Sequence, residues 1–233
     1  MLAKDRLIVA LDVPGADQAR SLIETLGDSA GVYKIGLELL FCGGFALAGE
    51  LARDGRAVFV DAKLSDIEAT VERATAAIAR IGAAFLTIHA LDNKTLAAAV
   101  RGRGDASLKL LGVTVLTNLA AADLIEQGID RPLEELVLHR AALAKTAGLD
   151  GVVASGREAA EIRAAMGRDF LIVTPGVRPQ GGDTQDQARA VTPKDAIAAG
   201  ADYLVVGRPI TRAADPREAA LAIAGEIDAA LSR

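Results

Sequence analysis

The sequence predicts an α/β protein, a single-domain (β/α)8 TIM barrel over residues 1–233. Three observations predict it. Eight short apolar runs recur along the chain, each almost continuously hydrophobic, as parallel strands covered on both faces are. Ala-rich amphipathic stretches separate the runs. Polar residues collect at the C-terminal ends of the runs while the middles stay apolar. Eight strand–helix units with short connections and no linker favour closure into one barrel. The alternative, a doubly wound open sheet, is disfavoured by the turn after the first run. It reads "LDVPGADQ", without the Gly-x-Gly-x-x-Gly fingerprint, and no P-loop pattern follows anywhere.

The elements follow in order. "RLIVALD" (6–12) ends in Asp12 and leads into "GADQARSLIETLG" (15–27), a helix with a Gly stop. "GVYKIG" (31–36) carries Lys34. "AVFVDAK" (57–63) holds Asp61 and Lys63, with Asp66 just beyond. "SDIEATVERATAAIARIGA" (65–83) reads as a helix opened by a Ser65 or Asp66 cap and an acidic first turn. "FLTIHA" (85–90) ends near His89, and "LKLLGVTVLT" (108–117) ends in Thr117, before Asn118. His139 lies in a helical stretch, "LEELVLHRAALAK", as a surface or packing residue. "GVVAS" (151–155) precedes "REAAEIRAAMG" (157–167), again closed by Gly. "FLIVTPG" (170–176) brings Thr174 and Pro175, followed by Arg178. "PKDAIAAG" (193–200) has Pro at a first helical position. "YLVVGR" (203–208) ends in Gly207 and Arg208, and "DPREAALAIAGEIDAAL" (215–231) is the last helix.

Composition narrows the function classes. With 51% hydrophobic residues in 233, a sizeable core is available. A net charge of −5 argues against a general nucleic-acid or acidic-membrane surface, which needs a basic face. It leaves room for a small anionic ligand at a locally positive site. Cys42 is the only cysteine, so no internal disulfide forms and a thiolate zinc site is excluded. Its setting, "LLFCGGFAL", reads as that of a small buried filler. The N-terminal apolar run is too short for a signal sequence and is interrupted by Asp12. No run approaches the roughly 20 apolar residues of a membrane span. The expectation is a soluble, cytoplasmic protein.

In a barrel the active site lies at the C-terminal strand ends. Asp61 and Lys63, at i and i+2, are expected to share the interior face at the mouth. Lys34 on the neighbouring strand completes a cluster in which each charge stabilises its neighbours. Lys63, flanked by carboxylates, reads as a proton donor. A structural ion-pair network at a rim would use the same residue types, but four such charges at the catalytic end favour function. Loops after the seventh and eighth strands commonly bind phosphate. Here Gly207 permits close backbone approach and Arg208 offers a forked donor. The Gly-rich stretch 178–192, with Gly181 and Gly182, is long for a compact domain and suggests a lid. His89 has no carboxylate partner in the sequence and reads as structural or supporting.

Taken together, "VALD", "KIG", "DAKLSDI", "VLT", "TPGVRPQGGDTQDQARAVTP" and "DYLVVGRPI" resemble the orotidine 5′-phosphate decarboxylase family, from Leu7 to Asp215. The Asp-x-Lys-x-x-Asp signature is also found in 3-keto-L-gulonate 6-phosphate decarboxylases and hexulose-phosphate synthases. The seventh-strand loop joined to "DYLVVGRPI" is similar to the orotidylate enzymes in particular. The resemblance implies loss of CO2 from orotidine 5′-monophosphate to give UMP, in de novo pyrimidine synthesis, with no metal or organic cofactor. It implies that Asp61 and Asp66 crowd the substrate carboxylate and that Lys63 stabilises and protonates the C6 carbanion. Lys34 and Asp12 would contact the ribose, and Thr117 the pyrimidine. Arg178, Gln187, Gly207 and Arg208 would bind the phosphate, with Gln187 on the closing loop, and Pro175 would also line the substrate. A twofold homodimer is implied too, with Asp66, Ile67 and Thr70 completing the neighbour's site. Relatives often read Asp-Ile-Pro-Asn-Thr after the Lys, whereas Glu68 and Ala69 stand here between Ile67 and Thr70. A metal-dependent sugar-phosphate decarboxylase or aldolase of the same superfamily is the runner-up. A catalytically silent nucleotide-binding barrel is the third reading. No nucleic-acid or membrane partner is expected.

Overall fold

The apolar runs become strands that pair in parallel with their sequence neighbours. The computed structural model describes residues 2–179 and 191–232. Its strands are β1 (Leu7–Ala10), β2 (Val32–Ile35), β3 (Ala57–Leu64), β4 (Phe85–His89), β5 (Lys109–Val113), β6 (Gly151–Val153), β7 (Leu171–Thr174) and β8 (Tyr203–Val206). They close as a barrel in the order β1 to β8. The ring is sealed at β1, where Ile8 pairs with Val32 on one side and Val205 on the other. The predicted (β/α)8 barrel is therefore the observed fold.

Strand alternation divides the apolar residues into two layers. Ile8, Val32, Phe59, Phe85, Leu111, Val173 and Val205 form one cluster inside the ring. Their neighbours, such as Leu7, Val9, Val58, Val60, Leu86 and Ile88, point outward into the larger core beneath the helices. Edge-to-face contacts link Phe59 to Phe85 at 5.9 Å and Phe85 to Tyr203 at 5.2 Å between ring centres. The interior is thus a filled plug on which the mouth of the barrel rests.

Helices return the chain between strands, each burying one stripe. Glu68–Arg80 buries Val71, Thr75 and Ile78, spaced by four and three residues. Asn93–Arg103 begins at Asp92, whose carboxylate accepts the Thr95 amide. Pro193–Ala198 and Pro216–Leu231 each have Pro in the first turn and a side-chain cap, from Thr192 and Asp215. Among the described residues no helix is long and apolar enough to cross a membrane.

Charges at the N-terminal end of the barrel hold strand starts in register. Asp150, just before β6, accepts the Leu110 amide of β5 at 2.9 Å, and Arg103 pairs with it at 2.7 Å. Asp202, just before β8, accepts the Ile172 amide of β7 at 2.8 Å and pairs with Arg163 at 2.6 Å. Arg163 also donates to the carbonyls of Gly167, Phe170 and Gly200.

Two expectations are corrected. The helix after β3 starts at Glu68, and Ile67, not Ser65 or Asp66, occupies the cap position. β3 runs on to Leu64, and Ile67 is still extended, so the first helical turn begins later. The Asp66 carboxylate accepts the adjacent Ile67 amide at 2.7 Å instead. Cys42 is exposed rather than buried. Non-helical backbone at Cys42 and a left-handed Gly43 (φ 89°) interrupt the helical connection after β2. That kink turns Phe41 and Cys42 away from the core and leaves Gly44 as the buried residue of the segment.

Candidate active site

The C-terminal strand ends surround a cavity of about 440 Å³. Asp12, just after β1, lines it together with Lys34 of β2 and Asp61 and Lys63 of β3. Thr117 lines it from the segment after β5, and Pro175 and Arg178 from the segment after β7. Gly207 and Arg208, at the end of β8, complete the predicted set within it. Its floor includes Ala10, Phe59 and Val205 from the interior plug.

The charges on one side form a continuous alternating chain. Lys34 Nζ lies 3.1 Å from Asp12 Oδ1 and 3.5 Å from Asp61 Oδ2. Lys63 Nζ lies 2.9 Å from Asp61 Oδ1. Each Asp61 oxygen therefore faces its own ammonium. Lys34 and Asp61 are buried, with side chains 9% and 13% exposed, whereas the Asp12 carboxylate opens to solvent at 53%. Burial disfavours the Asp61 charge. Lys34 and then Lys63, helped by hydrogen bonds from Lys63 and Thr87, outweigh burial and hold this carboxyl below its ordinary range.

Two features of backbone make room for this chain. A Cβ at Gly36 would stand 2.9 Å from Lys34 Nζ and 3.2 Å from Asp12 Oδ1, so the bare residue after β2 clears the Lys34–Asp12 contact. The second feature is a break in β3. Its pairing with β4 is lost between Val60 and Leu64. Lys63, inside that break, is the only non-glycine residue of positive φ (49°) among the described residues. Asp61 and Lys63 do share the cavity, as expected, but not by simple strand alternation. An irregular, left-handed segment aims Lys63 back toward Asp61.

The opposite side of the mouth is cationic. In a ring of eight strands β7 lies across from β3. The segments after β7 and β8 supply Arg178, Arg208 and Arg212 to the cavity. Arg178 is buried, and its amide donates to the Val191 carbonyl at 2.9 Å, beside a parallel bridge between Val177 and Val191. A Cβ at Gly207 would meet Ala10 and Asp12 at 3.5 Å, an ordinary contact. Among the described residues packing therefore does not demand glycine here, and its bareness enlarges the cavity wall. Guanidinium groups in such a pocket suit a phosphate.

Other predicted residues lie elsewhere. Asp66 and Ile67 are exposed and Thr70 is half-buried, and none lines the cavity of its own chain. Gln187, with Gly181 and Gly182, lies outside the described residues. His89, half-buried at the end of β4, does not line the cavity either. Burial, then Lys63 and Arg140, lower its pKa against the pull of Asp61. His139 is exposed on helix Leu133–Ala147. Among the described residues no three His, Cys, Asp or Glu side chains are grouped as metal ligands.

Sequence reasoning missed Glu38 and Arg212, which line the mouth, and Thr87, which binds Asp61. Arg212 follows Arg208 by four residues, a spacing that puts both on one side of a helical turn. Thr87 is a polar residue flanked by Leu86 and Ile88 within the apolar run of β4, a visible signal.

The chain is similar to known proteins over nearly its whole length. A sequence profile of the "Orotidine 5′-phosphate decarboxylase / HUMPS family" matches residues 5–223. A protein named orotidine 5′-phosphate decarboxylase from Caulobacter sp. (strain K31) is 53% identical over 227 residues, 97% of this chain and 99% of the relative. One of the same name from Rhodopseudomonas palustris (strain BisB5) is 52% identical over 224 residues, 96% of this chain and 95% of the relative. The crystal structure of orotidine 5′-phosphate decarboxylase from Lactobacillus acidophilus superposes with a TM-score of 0.84 at 37% identity, covering 95% of this chain and 98% of that one. With the profile spanning nearly the whole chain and identities above half, this chain belongs to the orotidine 5′-phosphate decarboxylase / HUMPS family.

Proposed function

We propose that the chain decarboxylates orotidine 5′-monophosphate to UMP and CO2, the last step of de novo pyrimidine synthesis, as a cytoplasmic homodimer of single-barrel subunits. The observation that carries this reading is the Asp12–Lys34–Asp61–Lys63 chain, set across one cavity from three arginines. A phosphate held by Arg178, Gly207 and Arg208 anchors the nucleotide, with Gln187 as a further donor. The ribose then lies over Asp12 and Lys34, and the base reaches Thr117 and Pro175.

The substrate carboxylate is directed at Asp61, whose own charge is locked in by Lys34 and Lys63. Two anions in contact raise the energy of the bound ground state. The bond from C6 to the carboxyl carbon breaks, CO2 leaves, and the electron pair stays on C6. The Lys63 ammonium stabilises that carbanion and gives it a proton, yielding UMP and a neutral amine that recovers its proton from solvent. The stabilising charge is already in place, held by fixed carboxylates, so little reorganisation accompanies the step. Binding energy from the distant phosphate helps to overcome the repulsion at C6. No metal or organic cofactor enters this scheme.

Asp66, Ile67 and Thr70 serve the site of the other subunit in this reading. Its support is a set of exposed apolar residues in the segments after β2, β3 and β4. Leu37, Phe41 and Phe45 follow β2, Ile67 follows β3, and Leu91 follows β4. All are exposed, Phe41 at 87% and Ile67 at 73%, in the segments that follow three adjacent strands. A set of this kind marks an association surface.

The test is direct. Adding purified protein to orotidine 5′-monophosphate should abolish the orotate absorbance, at an undiminished rate in excess EDTA. A strict Mg²⁺ requirement would instead assign the chain to the metal-dependent sugar-phosphate branch. No absorbance change with folded dimer would leave a binding role only.

A further inference from the structure

We propose that Thr87 is a positioning residue for Lys63, a reading that rests on the decarboxylase function above. Thr87 sits on β4 and is fully buried between Leu86 and Ile88, both also fully buried. Valine would suit such a position, and a buried hydroxyl requires partners. It has two. Thr87 Oγ1 accepts the Lys63 backbone amide at 2.9 Å and donates to Asp61 Oδ1 at 2.9 Å.

The direction of these bonds is forced. An amide only donates, and an ionised carboxylate only accepts. The single hydroxyl proton must therefore point at Asp61. The arrangement also repairs the break in β3. Val60 pairs with Leu86 and Leu64 with Ile88, so Asp61, Ala62 and Lys63 all stand opposite Thr87. The Lys63 amide has lost its place in the sheet ladder there, and the Thr87 side chain replaces it.

The result is a closed ring of contacts. Asp61 Oδ1 receives Thr87 Oγ1 and also lies 2.9 Å from Lys63 Nζ. One carboxylate oxygen thus holds Lys63 at both ends, its ammonium directly and its backbone through the threonine. This ring supports the left-handed conformation at Lys63 (φ 49°). Thr87 does not line the cavity. It acts on substrate only through Asp61 and Lys63, by fixing where the ammonium stands.

Thr87→Val and Thr87→Ser separate the hydroxyl from the packing, with Thr87→Ala as the alternative deletion if the valine variant does not fold. Steady-state decarboxylation is measured for each, together with hydrogen exchange at the Lys63 amide. The hydroxyl deletion should lower kcat roughly 10- to 100-fold, while KM stays within about threefold. Serine should recover most of kcat. The Lys63 amide should exchange faster in the deletion variant and stay protected with serine. A deletion variant with unchanged kcat, a serine variant as slow as the deletion, or an unchanged Lys63 amide would each overturn the proposal. If wild type itself fails to turn over orotidine 5′-monophosphate, the proposed function falls, and Lys63 amide exchange alone decides the role of Thr87.

Discussion

The Lys34 ammonium occupies space that a side chain at Gly36 would claim: a Cβ there would stand 2.9 Å from Nζ. Asp12 Oδ1 would be 3.2 Å from the same point. Both are ends of side chains, so a Gly36→Ala protein still folds, with Lys34 displaced from Asp12. The thermal midpoint should barely move, while kcat/KM falls by about tenfold or more, since small misplacements in a preorganised site are expensive. Thermal melts and kinetics on the same preparation check this. A large loss of stability with normal kcat/KM would show that Gly36 serves packing.

Lys63→Ala should all but abolish turnover while UMP still binds, because the proposed phosphate contacts lie in the segments after β7 and β8. Titration of UMP against the variant measures this. Turnover close to wild type would place the acid elsewhere.

Mixing inactive Lys63→Ala subunits with inactive Asp66→Asn subunits should regain activity. In the heterodimer one site holds both an intact Lys63 and an intact Asp66. Heterodimers verified by mass and lacking activity would show that Asp66 does not cross between subunits.

The His89 pKa is lowered by burial first and by Lys63 and Arg140 next. The unfolded chain, with its His at the ordinary 6.5, takes up a proton at higher pH than the folded one. Stability therefore declines as pH drops below 6.5 toward the folded-state value, then levels off with respect to this group. His89→Asn should remove that part of the decline, seen as a flatter denaturation midpoint against pH across the window. Identical profiles would mean that His89 does not titrate between the two states.

Arg163→Ala removes the partner of Asp202 and the donor to four carbonyls, of Gly167, Arg168, Phe170 and Gly200, at the N-terminal end of the barrel. Both side chains are only about one-fifth to one-quarter exposed, at 20% and 24%. Chemical denaturation should show a loss of about 1–3 kcal/mol, with kcat of the folded protein unchanged.

Much of this architecture was readable from period and position. "RLIVALD" and "YLVVGR" are apolar because both faces of β1 and β8 are covered, and their terminal Asp12 and Arg208 are polar because the wall ends there. Strand ends were less legible. The run through Thr117 continues as apolar sequence, yet β5 stops at Val113. Apolar residues pack just as well in the turn that follows, so composition does not mark the exit. The pairing break at Asp61–Lys63 was hidden for a different reason. It is a relation between two strands, and its counterpart is Thr87, 24 residues away from Lys63. Cys42 escaped because a kink reverses the inside and outside of an apolar stretch, and hydrophobicity carries no record of that reversal.

The kink at Cys42 and Gly43 gives the chain a practical handle. The molecule's single thiol is exposed on the subunit, next in sequence to the exposed Phe41. A fluorophore or spin label attached there reports from one defined address, with no other sulfhydryl to compete. Subunit exchange, assembly on dilution and inter-subunit spacing then become spectroscopic observables on the unmutated sequence.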